Sequence, residues 1–105
     1  MAYISFQPSD YFNTKLYTGT DSSNAITGIN FQPDFVWIKN RSGAASHALM
    51  DAVRGNDKSL RSNTSGAQYT NSYFTSFDSD GFTLTSSETD VNASSTNYVS
   101  WNWKG

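Results

Sequence analysis

The sequence predicts an all-β fold, a single antiparallel β-sandwich of jelly-roll-like form with long polar loops. Three observations carry that expectation. The polar residues are mostly Ser, Thr, Asn, Asp and Gly rather than Lys and Glu, a mixture poor for helix interiors and suited to strands and tight turns. Short apolar runs alternate with clusters of turn residues along the whole chain, as in sandwiches and barrels. The densest apolar run, Phe35-Val36-Trp37-Ile38, is short, β-branched and aromatic, is entered through Pro33 and is left through Lys39 and Arg41. Such a run reads as a strand rather than a helix.

Residues 1–10 contain Tyr3, Ile4 and Phe6 ahead of Pro8 and read as an N-terminal arm or an edge strand, with residues 11–105 forming the sandwich. From Tyr11 to Thr18 the pattern alternates, Phe12 and Leu16 on one face against Tyr11, Lys15 and Tyr17 on the other. Gly19 to Asn24 is a turn cluster, and Ala25–Ile29 is a short segment leading to the central run. There Phe35 and Trp37 share one face and Val36 and Ile38 the other, so both faces are expected to be covered. Pro33, which donates no backbone hydrogen bond, belongs before the strand.

His47–Asp51 reads as the next strand, paired with the central one as a hairpin, and the turn after it offers an Asp51–Arg54 ion pair. Residues 55–72 form a long polar loop with a short strand near Leu60. Tyr73–Phe77 and Gly81–Thr85 flank Asp78-Ser79-Asp80-Gly81, a hairpin signal. A polar loop over 86–96 precedes the last strand, Asn97 to Lys104, where Val99, Trp101 and Trp103 are expected to point inward and Tyr98, Ser100 and Asn102 outward. The expected core is Phe35, Trp37, Ile38, Leu49, Phe82, Leu84, Val99 and Trp101. With aromatics at 15%, that core rests on rings that each bury about 150–250 Å².

The net charge is −2, and six of the seven basic residues precede position 62, so no basic stripe suited to nucleic acid is present. No apolar run is long enough to span a membrane. The absence of cysteine excludes disulfides and thiol chemistry. The one histidine, His47, sits in a strand without a Gly-x-Ser-x-Gly elbow, so no catalytic residue is assigned and a hydrolase is a distant third reading. Asp78 and Asp80 resemble part of a calcium loop, but the later ligands are missing, and the turn reading prevails; no metal and no cofactor are expected. Asn63-Thr64-Ser65 and Asn92-Ala93-Ser94 match the glycosylation triplet, a pattern common by chance in such a chain. Tyr11, Tyr17, Tyr69, Tyr73 and Tyr98 are candidates for stacking on a sugar, although β-propensity and packing account for them as well.

Several segments together point to a family. They are Phe6-Gln7-Pro8 with Phe12-Asn13-Thr14-Lys15-Leu16-Tyr17-Thr18-Gly19, Gly28 to Lys39, Val53-Arg54-Gly55, Phe77-Asp78-Ser79-Asp80-Gly81-Phe82, and Tyr98-Val99-Ser100-Trp101-Asn102-Trp103-Lys104. They resemble a β-rich module common in virion structural proteins of marine and freshwater tailed phages, where it is often repeated inside long fibre-like proteins. The resemblance brings no catalytic or ligand residues. It implies a virion component, and a module standing alone suits a capsid decoration (cement) protein on the capsid exterior. The expected partners are the major capsid protein and further copies of the chain, a trimer being favoured, with Tyr3, Ile4 and Phe6 as partner-binding residues. The alternative is a tail-fibre module that binds a receptor or glycan.

Overall fold

The computed structural model describes residues 8–105. A 3-10 turn, Pro8–Asp10, precedes nine strands: β1 Phe12–Thr18, β2 Asn24–Ile26, β3 Phe35–Asn40, β4 Ala48–Asp51, β5 Lys58–Ser59, β6 Tyr69–Thr70, β7 Phe74–Asp78, β8 Gly81–Leu84 and β9 Asn97–Trp103. A four-stranded antiparallel sheet, ordered β1-β9-β3-β4, packs on a three-stranded one, β2-β8-β7, and β5 with β6 forms a small ribbon. The ribbon joins the larger sheet through a bridge between Leu49 and Leu60. The fold is thus all-β and sandwich-like, with the β3–β4 and β7–β8 hairpins where alternation and turn residues place them.

The core lies between the sheets. Val36, Ile38, Ala48 and Met50 from one layer meet Ile26, Phe74, Phe82 and Leu84 from the other. Tyr17 and Tyr98 stack within it, ring centroids 5.3 Å apart, and Phe74 stacks on Phe82 at 5.5 Å. Each interior phenol finds a partner, as buried hydroxyls must. Tyr98 Oη donates to Thr89 O and accepts from Ala93 N, both at 2.8 Å; Tyr17 Oη donates to Val91 O at 2.8 Å; Tyr73 Oη donates to Ser59 Oγ at 3.1 Å. Burial, which disfavours the phenolate, raises the ionisation of all three above the ordinary tyrosine range,.

This arrangement reverses the expected faces of β9. Tyr98, Ser100 and Asn102 are fully buried, whereas Trp101 is half-buried and Trp103 exposed. The polar row points inward because its groups are bonded there: Ser100 Oγ donates to Lys15 O at 3.2 Å, and the Asn102 amide donates to Asn13 O at 3.1 Å. Phe35, Trp37 and Leu49 are likewise only half-buried, so β3 is flanked by strands on both sides but covered on one face alone. Of the expected core, Ile38, Phe82, Leu84 and Val99 are buried. Loop residues outside the expected core, Ile29, Phe31, Pro33 and Val91, are buried as well.

Two turns close the layers. Asp80 is the anchor of one: its carboxylate accepts from Gly28 N at 3.0 Å and Asn30 N at 2.8 Å. Gly81 follows because a Cβ there would strike the backbone of Ile26. At the other, Gly19 lies so close to the backbone of Asn92 and Ala93 that no side chain fits. Asn92, wholly buried, fastens this turn to the 86–93 loop. Its Oδ1 accepts from Thr20 N and Asn24 Nδ2, and its Nδ2 donates to Ser22 O and Ser86 O.

Candidate functional site

Among the described residues, the outward face of the larger sheet gathers exposed aromatic rings. Strand pairing lines its residues up in rows. Phe12, Trp103, Phe35 and Asp51 form one row, Thr14, Trp101, Trp37 and Leu49 the next, and Leu16, Val99 and Lys39 a third. The rings touch across strands, Phe12 and Phe35 flanking Trp103 at 4.9 and 5.2 Å and Trp101 meeting Trp37 at 5.8 Å. Such cross-strand aromatic pairs stabilise a sheet, but here they leave much of their area in solvent. Phe12 is 38%, Leu16 55% and Trp103 37% exposed.

Between the rings lies an open concavity of about 380 Å³ lined by Phe35, Trp37 and Trp103, and a smaller one, lined by Trp37, Trp101 and Trp103, shares two of its walls. Polar residues stand at the rim. Asp51, at the end of the first row, forms with Arg54 the ion pair expected from the sequence, at 2.9 Å, and Lys39, at the end of the third row, donates from Nζ to Asn40 O at 2.8 Å. Aromatic centre and charged rim together are the composition of a binding surface.

His47 borders this face. Trp37 Nε1 donates to His47 Nδ1 at 2.8 Å, and since an indole only donates, the imidazole is neutral with its proton on Nε2. Partial burial, with Lys39 adding to it, holds the imidazole below its usual range. His47 therefore positions a tryptophan.

The remaining candidate residues fall elsewhere. Asp78 accepts from the hydroxyls of Ser76 at 2.6 Å and Thr83 at 2.5 Å, and Asp80 is occupied by backbone amides, so the pair is a turn device. Among the described residues, no group of three or more His, Asp or Glu side chains is placed to hold a metal. Asn92 has both amide hydrogens engaged inside the protein, which removes it as a glycan acceptor. Of the tyrosines considered for sugar stacking, Tyr17, Tyr73 and Tyr98 serve the interior, Tyr69 is half-buried under Arg61, and only Tyr11 is exposed. Tyr3, Ile4 and Phe6 lie outside the described residues. The platform of Phe12, Phe35, Trp37, Trp101 and Trp103 was present in the sequence as a ring-rich alternation, but rings signal a core and a platform equally.

Among known families, one described as a domain of unknown function (DUF7483) matches residues 7–105. No curated protein and no solved structure matches the chain.

Proposed function

The chain belongs to the DUF7483 family, a domain of unknown function, and from the face it exposes we propose that it is a non-enzymatic structural protein that docks its aromatic sheet face onto a protein partner. The observation that carries this reading is the continuous ring surface of Phe12, Trp103, Phe35, Trp101 and Trp37 on one side of a sheet whose other side is the core. Apolar patches of this kind on a soluble domain mark interaction sites, and tryptophan is the residue most enriched among side chains that dominate binding energy. The resemblance to phage virion modules supplies the partner: an assembled capsid, held from outside as a decoration protein holds it. A glycan is a poorer fit, because sugar hydroxyls need polar partners and the concavity is walled by Phe35, Trp37 and Trp103.

The test is co-sedimentation with undecorated capsids, comparing the wild type with Trp103→Ser and Phe35→Ser after circular dichroism has confirmed their fold. Loss of binding in the folded variants supports the reading. Binding unchanged by either substitution places the contact on another surface, and absence of wild-type binding together with retention on a glycan array replaces the capsid reading with receptor recognition. Deleting residues 2–7 in parallel asks whether Tyr3, Ile4 and Phe6 contribute to the grip.

A further inference from the structure

The edge of the larger sheet carries a second inference, independent of what the aromatic face binds. Among the described residues, β1 has β9 on one side and no strand on the other. Lys104 N donates to Tyr11 O at 2.8 Å and Gly19 N to Thr96 O at 2.9 Å. Odd-numbered residues therefore turn their backbone groups toward β9. In a strand these directions alternate, so Phe12, Thr14, Leu16 and Thr18 direct their N–H and C=O groups away from the sheet. The carbonyl of Thr18 is already taken by Asn24 Nδ2 at 3.1 Å. The open window is Phe12–Leu16, centred on Thr14.

That window is complementary to itself. With a two-fold axis at Thr14, an antiparallel second copy sets Thr14 against Thr14 and Phe12 against Leu16 on the outer face, while Asn13 meets Lys15 on the inner face. Each N–H and C=O of Phe12, Thr14 and Leu16 then has a partner, and the two most exposed apolar side chains of β1 cover one another. The neighbouring registers are worse. An axis through Lys15 opposes two ammonium groups, and an axis at Leu16 needs the occupied Thr18 carbonyl. Like charges directly opposite destabilise a strand pair, and an edge strand with unpaired backbone groups is a template for strand addition.

We propose that two copies of this chain pair through β1, antiparallel and in the register Thr14 opposite Thr14, joining their larger sheets edge to edge with both aromatic faces on the same side. The interface is isologous, as a two-fold requires, and it differs from the three-fold arrangement expected from the sequence.

The experiment combines sedimentation velocity with cysteine crosslinking on the full chain, which has no cysteine of its own. Paired residues in this hydrogen-bonded position stand about 5.5 Å apart at Cα, within disulfide range. Expected results are a concentration-dependent dimer, rapid crosslinking of Thr14→Cys under mild oxidation, slow crosslinking of Leu16→Cys alone, rapid crosslinking of the Phe12→Cys/Leu16→Cys double variant, and a folded monomer for Thr14→Lys. A chain that is monomeric at every concentration overturns the proposal. So does a dimer that survives Thr14→Lys, or Leu16→Cys linking as fast as Thr14→Cys. Dimerisation seen only after deletion of residues 2–7 also overturns it, by assigning the edge to the chain's own N-terminal residues.

Discussion

Truncating Tyr98 tests the assignment of the two faces of β9 directly. Tyr98 is fully buried, stacks on Tyr17 and holds Thr89 O and Ala93 N through its hydroxyl. Tyr98→Phe keeps the ring and removes two hydrogen bonds, each worth about 0.5–1.5 kcal/mol net, so about 1–3 kcal/mol is lost. Tyr98→Ala removes the ring as well, and large aromatic truncations in cores cost about 3–5 kcal/mol. For a domain of this size 1 kcal/mol corresponds to about 4–8 °C in Tm, so Tyr98→Ala lowers Tm by more than about 12 °C. Trp37→Ala and Trp103→Ala, on the half-exposed face, cost less than Tyr98→Ala. This revises the large loss that Trp37 would carry as a core residue. Thermal unfolding followed by near-UV circular dichroism measures all four variants. If Tyr98→Ala melts within a degree or two of wild type while Trp103→Ala unfolds, the faces are assigned backwards and the platform is a core.

Gly19→Ala drives a methyl group into the backbone of Asn92 and Ala93, where no side chain can move aside; a loss of about 1–3 kcal/mol is expected, measured by denaturant titration. The Gly28 and Asn30 amides hold the Asp80 carboxyl below its ordinary range. Its contribution is therefore present above the unfolded value, about 3.9, and is lost as pH falls through the lower folded value; Asp80→Asn is expected to flatten that acid limb of the stability–pH curve. The His47 imidazole is also held low, so its share of stability is present above about pH 6.5 and disappears as acid protonates Nδ1 and breaks the bond to Trp37. Tryptophan fluorescence is expected to report that step and His47→Gln to abolish it. Chelation with EDTA is expected to leave Tm unchanged, since a ligand stabilises only by binding the native state and the Asp78 and Asp80 oxygens already have partners; a calcium-dependent Tm shift refutes this.

The strands were readable where one face alternates with the other, as in β1, β8 and β9, β3 was readable as a short β-branched and aromatic run, and the hairpin turn was readable from Asp80-Gly81. Which face turns inward was not. In β9, three large apolar side chains oppose Tyr98, Ser100 and Asn102, and hydrophobicity alone selects the wrong row. The decision rests on partners distant in sequence, Asn13, Lys15 and the 89–93 loop, which bond the Tyr98 and Ser100 hydroxyls and the Asn102 amide hydrogens inside and leave only Asn102 Oδ1 of that row without a partner. Loop residues such as Ile29, Phe31 and Val91 have no periodicity to betray their burial. The aromatic platform was hidden by the same ambiguity: Trp101 and Trp103 read as core for the reason that makes them useful outside it.

The position of β9 has a kinetic consequence. The strand that separates β1 from β3 is the last of the described strands to be synthesised, and its ladder with β1 joins residues 12–18 to residues 97–103. Contacts so distant in sequence must bear their loop-closure entropy before they return any stabilisation, which slows folding. On the ribosome, the β3–β4 hairpin and the β7–β8 hairpin can form while β1 and β3 still lack the strand between them. The nascent chain then displays two unpaired sheet edges at once, bordered by Phe12, Leu16, Phe35 and Trp37. Insertion of Asn97–Trp103 between β1 and β3 is the step that pairs both of these strands at once.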